Sequence, residues 1–116
     1  MVTGLVEVLG GTFGLSHAGT HSAVLPHVAA YNAAVAREPM AALARSLATA
    51  DPAGALWDLA HSTGAPTALA DLGFHRRDVE TAAAMVVEAR PSNPRPITKE
   101  EVYLLLLAAH DGARPT

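Results

Sequence analysis

The chain has 116 residues, a formal charge of −3, no cysteine and a single lysine, Lys99. That is one domain with one modest core. Disulfides, thiolate metal sites and thiol nucleophiles are excluded, and no basic face is left to track a phosphate backbone, so no nucleic-acid partner is expected.

Half of the residues are apolar but only 4% are aromatic. A composition rich in Ala, Leu and Val favours closely packed helices over sheets. Val2, Leu5, Val6 and Leu9 follow the i, i+3, i+4, i+7 pattern of a first amphipathic helix, which Gly10, Gly11 and Gly14 are expected to end. Ser16 is a good N-cap for a second helix running to Asn32, with a kink or break expected ahead of Pro26. A third helix is expected over residues 38–48, with Pro39 in its first turn.

Asp51-Pro52 is a cap followed by proline and starts a fourth helix that Gly64 stops. Thr67 is expected to cap a short helix closing at Gly73. Residues 75–89 are expected to form a longer one, with Val79, Ala82, Ala83, Val86 and Val87 on one face. Residues 90–97 hold three prolines and Asn93 and read as a loop, with Arg95 bonding loop carbonyls. Thr98 and Glu101 form a capping box for the last helix, which ends near Gly112, and residues 113–116 are expected to fray. No stretch alternates as a strand does, so the fold class is all-α, with six or seven helices. The longest apolar run, residues 102–109, is too short to span a bilayer, and no leader pattern follows Met1. A soluble, cytoplasmic protein with no membrane partner is expected.

Chemistry concentrates in residues 9–32, LGGTFGLSHAGTHSAVLPHVAAYN, which hold three of the six histidines. His17 and His21 are one turn apart and share a helix face. Such a pair can hold a metal, but a stable site needs a third and usually a fourth ligand. Glu7, on the preceding helix, can be folded back toward His17 by the glycine turn. It could serve as that ligand or as the carboxylate of an acid–base pair. His17 also sits in the first turn, where the positive end of the helix dipole favours anions. The plain alternative is a set of structural histidines bonded to carbonyls or solvent. His27 faces partly away from His21 and reads as structural, or as a substrate contact together with Tyr31 and Phe13. Trp57 reads as core, and Arg76, Arg77 and Asp78 as a solvated first turn.

These residues resemble the C-terminal helical domain of maleylacetate reductases, within the iron-containing alcohol dehydrogenase superfamily and its dehydroquinate synthase-like relatives. Members carry a Leu-Gly-Gly segment, a Pro-His-Ala-Glu-Thr-His motif and Val-Leu-Pro-His running to Tyr-Asn. LWDLAHSTGAPTALADLGF and PSNPRPITKEEVYLLLLAAHDG resemble the same domain, including the Asn-Pro-Arg-Pro loop before the last helix. The similarity spans nearly the whole chain, so residues 1–116 are read as one such domain.

The resemblance implies a two-domain enzyme whose other half binds a nicotinamide cofactor, with the active site in the cleft. Neither that half nor the start of the helical domain lies in these residues. Thr3 and Glu7 stand where the family places histidines, the first a metal ligand and the second a catalytic-site residue. Ser16 replaces a proline and Gly19 a glutamate. His17 alone keeps a usual metal position, and His21 matches the histidine of the maleylacetate reductase branch. No nicotinamide site and no metal site are therefore expected here, with His17 and His21 the only candidate metal ligands. The expectation is a domain that has lost nicotinamide-dependent reduction and been repurposed for acid–base dehydration, isomerisation or cyclisation of a small molecule in biosynthesis. His17, His21 and Glu7 would carry that chemistry. The alternatives are the helical subunit of a split reductase and a non-catalytic binding remnant. The apolar first helix is expected to lie bare and to be covered by a second copy, as a homodimer, or by a partner subunit.

Overall fold

Ser16, Asp51 and Thr98 each begin a helix as their residue types dictate. Ser16 accepts the Gly19 N–H at 3.0 Å and Asp51 the Gly54 N–H at 3.1 Å, with Pro52 at the first helical position. Thr98 accepts the Glu101 N–H at 3.2 Å, and its hydroxyl donates to the Glu101 carboxylate at 3.0 Å. The computed structural model describes residues 1–115. It contains α1 (Val2–Phe13), α2 (His17–Asn32), α3 (Arg37–Ser46), α4 (Pro52–Thr63), α5 (Val79–Glu88) and α6 (Lys99–Asp111). Two 3₁₀ turns, Leu69–Leu72 and Arg76–Asp78, join α4 to α5. No strand occurs among the described residues, and the chain is all-α as expected.

The helix boundaries differ from expectation where packing outweighs local preference. α1 continues through Gly10 and Gly11 and stops at Gly14, which takes the left-handed conformation at φ 72°. α2 runs unbroken past Pro26, whose ring is buried in the core. α3 ends two residues early, and Ala48 turns left-handed just beyond it. Thr67 caps nothing; Ala68 precedes a 3₁₀ turn instead. The helix expected over 75–89 opens with a 3₁₀ turn and is α-helical only from Val79.

The end of the chain does not fray within the described residues. Arg114 grips Asp58 through two hydrogen bonds of 2.9 and 3.0 Å and reaches Asp51 at 3.2 Å, while Pro115 is buried. Thr116 lies outside the described residues.

α2 is the central helix, packed against α1, α4 and α6, while α5 lies on α1 and α6. Leu5, Leu9, Val24, Leu69, Val79, Val86, Val102 and Leu106 fill the core. The apolar face of α1 is not bare: Leu5 and Leu9 are fully buried and Val6 nearly so, beneath α2 and α5. The face expected to need a second copy is covered from within the chain. Val35, Leu59 and Leu104 are the large apolar side chains left exposed among the described residues.

Candidate functional site

The Ser16 cap fixes where α2 begins, and so places His17 in its first turn and His21 one turn on. Both imidazoles are exposed. Neither they nor the exposed Glu7 carboxylate has a hydrogen-bond or ion-pair partner among the described residues. His21 stands on the lip of an apolar groove of about 280 Å³ between α2 and α4, walled by Leu25, Pro26, Leu56, Leu59 and Ala60. Glu7 lines a different hollow of about 320 Å³, with Thr3, Gly4, Pro91 and Ser92. The glycine turn leaves Glu7 and His21 in separate cavities.

His27 and Tyr31 share a third cavity of about 340 Å³ with Ala30, Glu101, Leu104 and Leu105, between α2 and α6. The His27 ring is buried and its Nε2 has no partner among the described residues. Burial pushes this imidazole below its ordinary range, since the charged form loses hydration there. The Tyr31 hydroxyl donates to the Pro96 carbonyl at 2.6 Å. Burial and the nearby Glu101 carboxylate hold the phenol above its ordinary range.

Contrary to expectation, the Arg95 side chain bonds no carbonyl of its own loop among the described residues; it reaches α2 and α6 instead. Its guanidinium lies 4.1 Å from the centre of the Tyr31 ring, donates to the Tyr31 carbonyl at 3.0 Å and meets Glu101 at 2.7 Å. Asn32 and Asn93 exchange side-chain amide hydrogen bonds of 2.9 Å each way. The proline-rich loop is thereby tied to the end of α2 and the start of α6. Phe13 meets Phe74 edge-on at 5.4 Å, a core contact. Trp57, half-buried, stacks on His61 and donates to the Gly112 carbonyl at 3.2 Å.

Two walls escape a reading by motif: the α4 side of the His21 groove and the α6 side of the His27 cavity. The second had a signal. Residues 102–109 are apolar all round, wider than one buried stripe requires. Val102, Leu105, Leu106 and Ala109 face the core, which leaves Leu104 exposed.

Comparison with known proteins identifies the architecture. Residues 2–110 match the family model for the Fe-containing alcohol dehydrogenase family, C-terminal, and the chain belongs to that family. It is 43% identical over 97% of its length to the maleylacetate reductase of Burkholderia cepacia, and 46% identical over 96% to that of Sphingobium indicum. Among solved structures it resembles maleylacetate reductase from Agrobacterium tumefaciens (TM-score 0.92, 37% identity, 98% of this chain and 32% of that one). It also resembles an iron-containing alcohol dehydrogenase from Corynebacterium glutamicum (TM-score 0.90, 39% identity, 98% and 32%). The chain spans about a third of the length of these relatives, 32% in the two reductases first named.

The family's iron does not fit these residues on their own. Among the described residues no group of three or more His, Asp or Glu side chains stands together to hold a metal ion. His17 and His21 offer two ligands where a stable site takes at least three from the protein. Nor do the described residues contain a strand, glycine loop and helix in succession of the kind that holds a dinucleotide.

Proposed function

We propose that this domain is the helical half of a maleylacetate reductase-type oxidoreductase, completed by a nicotinamide-binding part outside these 116 residues. The observation that carries the reading is the His17–His21 pair. Two exposed imidazoles without partners, one turn apart beside an apolar groove, are what one wall of an open cleft presents. His17, at the positive end of α2, suits a carboxylate oxygen of the substrate. His21 is placed to donate to, or take a proton from, the atom beside it. When bound, the nicotinamide would supply the hydride.

A second reading keeps the domain as a non-redox acid–base enzyme that uses His17 and His21 for dehydration, isomerisation or cyclisation. It is favoured by the two unpartnered imidazoles alone, because Glu7 lines a hollow separate from the groove beside His21.

One experiment separates the two. The purified chain is given maleylacetate with and without NADH. Each mixture is repeated with the amino-terminal two-thirds of the Burkholderia cepacia reductase added. NADH oxidation only in the completed mixture is the expected result, with a drop of about a hundredfold in His17→Ala or His21→Ala. Consumption of maleylacetate by the chain alone, without NADH, would instead establish acid–base chemistry. An inert completed mixture overturns the reductase reading.

A further inference from the structure

We propose that residues 64–73, which open the connection from α4 to α5, position the His17–His21 pair for the reaction proposed above, a role that rests on that reading. Leu72 and Pro66 are the positioning residues. They hold the inner side of α2 while both histidines face out.

His17 and His21 are exposed and have no hydrogen-bond or ion-pair partner among the described residues. No side-chain bond orients either ring, so both are placed by the backbone that carries them. Gly19 lies midway between them and is buried. Its N–H is held by the Ser16 hydroxyl at 3.0 Å. Its Cα is held by Leu72: a Cβ at position 19 would stand 2.9 and 3.1 Å from the two Leu72 methyls and 2.9 Å from the Ser16 Oγ. Only glycine lets the turn press this close to the helix backbone. One turn further on, the Ser22 hydroxyl donates to the Pro66 carbonyl at 3.0 Å. Thr20, between the two grips, is fully buried.

The gripping segment is itself anchored. Leu69 is fully buried in the core, and Gly73 closes the 3₁₀ turn in the left-handed conformation at φ 93°. Ala65 lines the same groove as His21, so the segment and the histidine share one wall. A pair placed by backbone alone is sensitive to small shifts there, since a displacement of about 1 Å can cost about a hundredfold in rate.

The test is a double-variant cycle in Gly19 and Leu72, read first on the chain alone. Gly19→Ala sets a methyl against Leu72, Leu72→Ala removes the contact, and the two together put a methyl where the leucine end was. The ring-proton NMR signals of His17 and His21 should move in each single variant and return toward those of the natural chain in the pair, with His61 unmoved. With the amino-terminal two-thirds of the Burkholderia cepacia reductase added, kcat should fall about tenfold in Gly19→Ala and recover to within about threefold in the pair. Alanine is the better helix former, so this loss should not follow the urea midpoint. Ring signals unmoved in Gly19→Ala, signals that the pair does not restore, or a kcat loss that tracks the urea midpoint across the set would each overturn the proposal. If the natural chain gives no NADH oxidation in that mixture, the reductase reading fails, and the ring signals still decide the grip.

Discussion

His27 also bears on stability. Its folded imidazole titrates below 6.5, while in the unfolded chain it titrates at about 6.5. Between those values the unfolded state holds a proton that the folded state does not. Stability therefore rises with pH through that window, and is lost as pH falls below the unfolded value. Urea midpoints at about pH 7.5 and about pH 5 should differ more for the natural chain than for His27→Phe; equal losses would remove His27 as the cause. Gly112 is a second sensitive residue. It ends α6 at φ 72°, and an added Cβ would stand 2.8 Å from the Ala68 Cβ. Gly112→Ala should cost about 1–2 kcal/mol from the left-handed backbone alone, read from the same urea curves.

At the scale of elements, the caps are where sequence and structure agree best. A side-chain oxygen meets an N–H only three residues away, so Ser16, Asp51 and Thr98 could be read locally. Ser16→Ala should lower stability by about 1 kcal/mol, and an unchanged urea midpoint would deny the cap that weight. The missed boundaries depend on distant partners instead. Gly10 and Gly11 stay helical in a segment whose Leu5 and Leu9 are held in the core. Arg114 is ordered by carboxylates on α4 and at its N-cap, 56 and 63 residues away in sequence. Gly4 tells the same story: a Cβ there would stand 2.8 Å from Pro91, so α1 and the proline-rich loop touch at a point that no local pattern marks. The candidate site was legible to the same degree. The His17–His21 spacing follows from helix geometry alone. The grooves beside His21 and His27 needed α4 and α6 in place.

For the whole molecule, the Cα radius of gyration of 13.3 Å matches the roughly 13 Å expected of a self-contained domain of about this size. A third of a much longer relative therefore carries a core of its own. Thermal unfolding should be a single cooperative transition, with calorimetric and van't Hoff enthalpies equal. A two-step melt would mean that the helices depend on surfaces outside these residues. No helix among the described residues is long and apolar enough to cross a membrane.

α3 stands apart from this cooperative body. None of its residues is buried, and it packs on α4. It is the segment whose amide hydrogens should exchange first, by a local opening that leaves the core shut. Trypsin should accordingly cut after Arg37 or Arg45 before it cuts elsewhere. The two pieces, one ending in α2 and the other beginning near α4, should then remain together as a nicked but folded complex.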